Sequence, residues 1–264
     1  MNTEITDETG FLKSLTMRLK RHPVPVSALF GRCLVLTYAL PARGLEPLLP
    51  PGLSLDTFHG YGFVAIALVQ TESLRPACLP AMFGQDFFLS GYRIFARYRT
   101  RAGRNLRGLR ILRSDTDRYR MVFFGNLLTH YHYRLAQVEV DERAGELEVR
   151  IQTPRAEADL HVVANLGAPP EALPPSSPFA DWHEARRFAG PLPFTFDYEE
   201  QTHSLVLIEG VRKFWKPQPV GVKVLENTFF RSAAFRDAQP ILASAFHLRN
   251  VPYGWKRGVV EKLN

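Results

Sequence analysis

Cysteine is scarce in this chain of 264 residues: Cys33 and Cys78 are the only two. Thiols so far apart make no disulfide framework, which argues for two buried thiols in a reducing, cytoplasmic setting. Long hydrophobic runs are missing too. No stretch approaches the ~20 apolar residues needed to cross a bilayer, so no membrane partner is expected. The acidic opening Met1-Asn2-Thr3-Glu4-Ile5-Thr6-Asp7-Glu8 lacks the apolar core of a signal peptide. Neither G-x-x-x-x-G-K-S/T nor G-x-G-x-x-G occurs, so phosphate-cradling loops have no support. G-x-S-x-G is absent, which removes a nucleophile-elbow hydrolase. Strand–helix–strand alternation is absent, which argues against a doubly wound fold.

What is present reads as a globular protein, with 45% hydrophobic and 22% charged residues. A chain of this length buries a large core without disulfides or metals. Nineteen Phe and nine Tyr favour strands, because flat rings pack well on a pleated surface.

The net charge of +7 is local. Arg93, Arg97, Arg99, Arg101, Arg104, Arg107, Arg110, Arg113, Arg118 and Arg120 face only Asp115 and Asp117 within that window, ten minus two, or +8. Such a field attracts anions. Three readings are open: a solvated cationic strand face, a nucleic-acid grip with Tyr92, Phe95 and Tyr98 as stacking surfaces, or an arginine-lined pocket for a carboxylate or phosphate. The balanced remainder of the chain disfavours nucleic acid.

Residues 1–21 read as an N-terminal helical extension, in which 9–21 carry Phe11, Leu12, Leu15 and Leu19 at helical spacing, a helix that either docks on the domain or lies on a membrane surface. Residues 22–264 read as a single domain. Strands are predicted over 31–40 and 62–69, the second apolar enough to be buried on both faces. A hairpin over 92–99 and 106–112 places Arg93, Arg97 and Arg99 on one face with Phe95. A helix over 117–130 carries the stripe Tyr119, Val122, Phe123 and Leu127, with Asp115 or Asp117 available as its cap. Further strands are predicted at 136–140, 147–152, 194–198, 204–209 and 220–226. The proline-rich stretch 168–178 is a surface loop, since proline gives no amide donor to a sheet. The fold class is therefore mainly β (α+β): an antiparallel, barrel-like sheet with a few helices.

Chemistry concentrates where the helix meets the next strand, at Thr129-His130-Tyr131-His132-Tyr133-Arg134. His130 and His132 would share a face on a strand and could ligate a metal with His161, His203 or His247 as a third donor. Nothing fixes those distances, and hydrogen-bonded or exposed histidines are the alternative, so no metal and no cofactor is expected. In Val211-Arg212-Lys213-Phe214-Trp215-Lys216-Pro217, a lysine beside other cations could act as an amine nucleophile, or simply lay its stem on Trp215.

The order of several short motifs resembles the acetoacetate decarboxylase-like superfamily. They are Arg32-Cys33-Leu34-Val35-Leu36-Thr37-Tyr38, then Leu48-Leu49-Pro50-Pro51-Gly52-Leu53, then Gly108-Leu109-Arg110-Ile111-Leu112-Arg113-Ser114-Asp115. Tyr131-His132-Tyr133-Arg134, Glu184-Ala185-Arg186-Arg187-Phe188 and the segment from Asn227 to Tyr253 continue the series. The likeness runs from about residue 22 to the C-terminus and is closest to the uncharacterised YqjF-like branch, the DUF2071 family. It implies a cone-shaped antiparallel β-barrel with an internal pocket. The decarboxylases of that superfamily use a lysine that forms a Schiff base with a β-keto acid, in a Tyr-Pro-Lys-Lys segment after a helix. That segment falls on Tyr131-His132-Tyr133-Arg134, so Tyr133 stands in the place of the imine-forming lysine and Arg134 in that of its neighbour. A phenol forms no imine. No lysine occurs between Lys20 and Lys213, so Lys213, Lys216 or Lys223 would have to reach the pocket from elsewhere.

The expectation is a pocket for a small organic acid. Arg134 and an arginine of the cationic hairpin, Arg93 or Arg113, would face the charge, with Tyr131, Tyr133, His130 and His132 as hydrogen-bonding partners. The alternative is a lyase-, decarboxylase- or hydratase-like enzyme with Tyr133 or His132 as acid–base and Arg134 stabilising an anion. A homo-oligomer is compatible with either.

Overall fold

A computed structural model describes residues 16–190, 192–236 and 238–263. The expected helix over 9–21 lies largely outside these residues; 16–19 form a helical turn. In chain order the elements begin with β1 (Val26–Pro41), α1 (Ala42–Leu45), β2 (Leu53–Leu55), β3 (Tyr61–Pro76), β4 (Gln85–Arg99) and β5 (Asn105–Thr116). There follow α2 (Tyr119–Leu128), β6 (Tyr133–Leu135), β7 (Gln137–Arg143), β8 (Glu146–Gln152) and β9 (Leu160–Asn165). The chain ends with α3 (Trp182–Phe188), β10 (Phe194–Glu199), β11 (Ser204–Arg212), β12 (Gln218–Pro219), β13 (Gly221–Asn227), β14 (Ile241–Trp255) and β15 (Val259–Lys262).

Seven strands form a ring in the order β14, β1, β3, β4, β5, β10, β11. It closes where Gly210, Val211 and Arg212 of β11 pair with Trp255, Gly254 and Tyr253 of β14. The pairing is mainly antiparallel, as expected from sequence, with two short exceptions: β10 runs parallel to β5 at Phe194↔Gly108, and β6 runs parallel to β5 at Ser114↔Tyr133. Both parallel contacts arise because helix or long-loop crossovers, rather than hairpins, deliver β6 and β10. A second sheet, in the order β13, β9, β8, β7, lies over the ring's outer face.

The two faces of the ring wall differ in side-chain size. Outward, Leu34, Leu36, Val64, Ile66, Leu68 and Ile94 pack against Leu147, Val149 and Val162 of the second sheet, all nearly inaccessible. Burying each such side chain contributes roughly 1.5–3 kcal/mol. Inward, β3 presents Ala65 and Ala67, β1 presents Cys33 and Val35, and β4 places Gly91 opposite Ala67. Residues 62–69 are therefore buried on both faces, as their apolar run predicts. One end of the ring is plugged by aromatics: Phe63 stacks on Phe179 at 5.4 Å and meets Phe188 of α3 at 5.0 Å. Asp181 caps α3 by accepting the Glu184 amide at 2.7 Å.

Several local expectations change. α2 turns Met121 and Gly125 inward and leaves Tyr119 and Phe123 exposed, so its buried face is not the stripe read from periodicity. Arg118 is its N-cap and no side chain caps it. Asp115 is instead held by Arg113 at 2.7 Å, and Asp117 accepts the Phe88 amide at 2.7 Å. Cys33 is buried, but Cys78 is exposed in the β3–β4 connection. The cationic hairpin is no bare solvated face. Arg97 and Arg107 share the buried Asp56 at 2.6 and 2.5 Å, Arg110 pairs with Asp197, and Arg93 points into the ring. Among the described residues no helix is long and apolar enough to cross a membrane.

His247 on β14 is buried beside Arg32 and Arg249, which share Glu142. Burial first, then the two cations, push its pKa down to about 4. Below about pH 6.5 the unfolded chain takes up a proton that the folded chain refuses, so stability falls as the pH drops from about 6.5 towards 4. His247→Gln should remove up to about 3 kcal/mol of that acid sensitivity. Urea unfolding at pH 7.5 and pH 4.5 checks it: an unchanged pH difference in the variant would refute the assignment.

Candidate functional site

The ring interior holds a cavity of about 610 Å³, a size suited to a small organic molecule. Small inward residues on β1, β3 and β4 leave the space, and α2 with the segment after it forms one wall. Its charge is one-sided. Arg75, Arg93, Arg120, Arg186 and Arg212 line it, with no Asp, Glu or Lys among the described residues there. Lys213, Lys216 and Lys223 are exposed and outside the lining.

The arginines differ in what holds them. Arg75 donates to the Leu79 and Ser73 carbonyls at 3.0 and 2.8 Å. Arg212 lies over Trp215 at 5.2 Å and donates to the Tyr253 hydroxyl at 3.5 Å. Arg120 and Arg186 are exposed at the edges. Arg93 is half-buried in the wall and has no ion pair or hydrogen bond among the described residues. Its guanidinium sits over Gly91, where an added Cβ would lie 2.8 Å from Nη2. Desolvating a guanidinium without a partner is costly, and a bound anion removes that cost.

Tyr131 and Tyr133 face the same space because of how α2 ends. Thr129 caps it, its amide and its Oγ1 both donating to the Gly125 carbonyl, at 2.9 and 2.7 Å. Asn126 then clamps the backbone of Tyr133, accepting its amide at 2.7 Å and donating to its carbonyl at 2.9 Å. Between the two tyrosines His132 adopts φ 51°, a left-handed turn residue. That reversal carries Tyr131 and Tyr133 inward with ring centroids 6.2 Å apart, and leaves His132 on the outer surface. Burial pushes Tyr133 up to about 12, opposed by the Arg93 charge. Burial, then the Asp197 charge, raises Tyr131 well above the ordinary phenol range. Both therefore stay protonated, with a proton available to donate. The buried Tyr131 oxygen forms no hydrogen bond of normal geometry, with Thr195 a polar neighbour. Cys33, also in the wall, is pushed to about 12 by burial and is an un-ionised thiol.

The structure separates the other residues expected at the site. Arg134 and Arg113 donate to the same Glu157 oxygen at 2.6 and 2.7 Å, outside the ring. Carboxylates captured both, so neither lines the cavity. His130 lies 3.8 Å from Glu199, which is bound by Arg21 at 2.9 and 2.5 Å. Burial lowers the His130 pKa, so the ring is neutral. His132 shares a shallow surface pocket with Lys20 and Arg134. The two histidines sit in a turn rather than on a strand, and no group that could hold a metal occurs among the described residues. The cavity adds residues that the sequence reading left out: Arg212, Trp215 and Tyr253. The basic aromatic stretch 211–217 was a signal for the first two; nothing local marked Tyr253.

The DUF2071 family, described as an uncharacterized conserved protein, matches residues 29–249. Among solved structures, the acetoacetate decarboxylase of Legionella pneumophila subsp. pneumophila str. Philadelphia 1 matches with TM-score 0.59 and 12% identity, over 90% of this chain and 87% of that one. An acetoacetate decarboxylase-like enzyme from Sphingomonas wittichii RW1 matches at 0.58 and 13% identity, over 93% and 95%. The enduracididine biosynthesis enzyme MppR, complexed with pyruvate, matches at 0.59 and 13% identity, over 90% of each chain. At such identities the likeness shows an acetoacetate decarboxylase-like fold. No curated protein matches the chain.

Gly125 lets α2 lie against the Tyr133 ring, where a Cβ would stand 2.4 Å from Cδ2. Gly125→Ala should cost about 1–3 kcal/mol of stability by overpacking. Guanidinium unfolding measures this, and a loss under 0.5 kcal/mol would mean that the helix and the ring are not in the contact described.

Proposed function

The chain belongs to the DUF2071 family and has an acetoacetate decarboxylase-like fold; from that premise we propose that it binds a small organic acid inside the ring, without a Schiff-base lysine. The observation that carries this reading is the charge of the cavity wall: five arginines, no carboxylate, and Arg93 unpaired among the described residues. The carboxylate lies against the Arg93 guanidinium, and the protonated phenols of Tyr131 and Tyr133 donate to its oxygens. Charge-assisted hydrogen bonds of this kind contribute about 1.5–3 kcal/mol each. A phenol where relatives carry an imine-forming amine supports binding by charge rather than by covalent capture. The catalytic variant of this reading keeps Tyr133 as a proton donor beside Arg93; His132 and Arg134 take no part, since they face outward.

Thermal denaturation against keto, hydroxy and aromatic acids tests the proposal. At least one acid should raise the melting temperature of the wild type, and Arg93→Ala should weaken its binding by tenfold or more, about 1.4 kcal/mol. Arg134→Ala should bind like wild type. Gly91→Ala, which displaces the guanidinium without removing it, should fall between. Borohydride with keto acids should leave no adduct. The reading fails if no acid binds, if Arg93→Ala binds as well as wild type, or if a stable adduct forms.

A further inference from the structure

Arg93 is half-buried in the cavity wall, and the strand that leads from it to the exposed rim at Phe83 and Phe124 has a chemical character of its own. Along β4 the inward positions run Phe87, Leu89, Gly91, Arg93, and along β3 the partners are Thr71, Val69, Ala67, Ala65. Apart from Thr71 this passage is apolar, joined by Phe30, Cys33 and Leu248 from β1 and β14. The Arg93 guanidinium sits over Gly91, and the four strand steps from Gly91 to Phe87 cover roughly 13 Å at about 3.3 Å each. At the opening, Phe83 of the β3–β4 connection and Phe124 of α2 line the cavity while 63% and 48% exposed. A two- to four-carbon acid held at Arg93 would leave all of this wall and both phenylalanines uncovered.

We propose that the ligand is an amphiphilic carboxylate: a straight-chain alkanoic acid, or its oxo or hydroxy derivative, of about eight carbons or more. Its head lies on Arg93 and its chain runs past Leu89 and Phe87 to the opening. The proposal rests on the reading of Arg93 as the anion anchor and adds the nature of the tail. Small residues around the head, Ala65, Ala67 and Gly91, admit a substituent near the carboxylate. The stretch of wall formed by Leu89, Phe87 and Val69 itself offers no cation or amide to a polar tail; Arg75, Gln85 and Arg120 line the cavity from the ends of β3 and β4 and from α2. The transfer of each methylene from water into such a wall, about 0.8 kcal/mol, corresponds to a gain of roughly threefold to fourfold in affinity.

The experiment is isothermal titration of the full chain with acetate, butanoate, octanoate and dodecanoate, each below its micelle concentration and at fixed ionic strength, with 1-dodecanol as the uncharged control. Affinity should rise about threefold per methylene to dodecanoate. It should drop at least tenfold for dodecanoate in Arg93→Ala and for dodecanol in the wild type. Phe83→Ser and Phe124→Ser, surface changes that leave the fold intact, should weaken dodecanoate and leave butanoate unchanged. Acetate binding as tightly as dodecanoate, with Arg93 still required, would overturn the amphiphile and leave the anion reading standing. Length-dependent binding that dodecanol shares and Arg93→Ala does not disturb would overturn the anion anchor itself. No binding by any member would overturn both.

Discussion

The structure depends on one constraint: a sheet buried on both faces, with large side chains outside and, at Cys33, Ala65, Ala67 and Gly91, small ones inside. Leu34, Leu36, Ile66 and Leu68 fill the seam against the second sheet at close-packed density. Ala65, Ala67, Gly91 and Cys33 turn inward and cannot fill the ring. The same strand that stabilises the protein through its outer residues therefore makes the hollow with its inner ones. Closure through β11 and β14 leaves no long open edge between these strands and holds the hollow's shape.

Charge is distributed by the same geometry. The arginine-rich stretch is neutralised at a distance: Asp56 takes Arg97 and Arg107, Asp197 takes Arg110, and Asp115 with Glu157 takes Arg113. Asp56, Asp197 and Glu157 lie outside the window in the chain, so a count within it overstates the surface field. Arg93 differs because its strand position faces the interior, where no acidic residue of the described chain arrives. A low-dielectric wall strengthens the field of a charge left there. Binding of an anion is then favoured where the protein leaves a cation unpaired, and by the phenols that burial keeps protonated.

The helix end shows how local rules and tertiary needs combine. Thr129 and Asn126 satisfy the last turn of α2, and the left-handed His132 reverses the chain. Alternate residues thus face opposite ways, Tyr131 and Tyr133 inward, His132 and Arg134 outward. The cluster that is most conspicuous in the sequence is split into two by a single backbone conformation. Its inner half joins Arg93, some forty residues earlier in the chain, and Tyr253 from the far side of the ring.

By itself the amino-acid order determined many of the strands, though not β9 or the ring-closing β14, the helix before the tyrosines, the family, and the lack of any lysine between 20 and 213. Each of these rests on periodicity, composition or identity, which are properties of neighbours in the chain. Tertiary structure alone decided that Arg93 faces the cavity without a partner among the described residues, which face of α2 is buried, and which half of the His-Tyr cluster sees the cavity. Those outcomes depend on the ladder that sets Arg93 opposite Ala65, and on Glu157 reaching Arg113 and Arg134 across a sheet boundary. Pairing between distant segments carries no short-range signature, because ion pairs and cavity walls form between whichever residues the closed ring brings within a few ångströms.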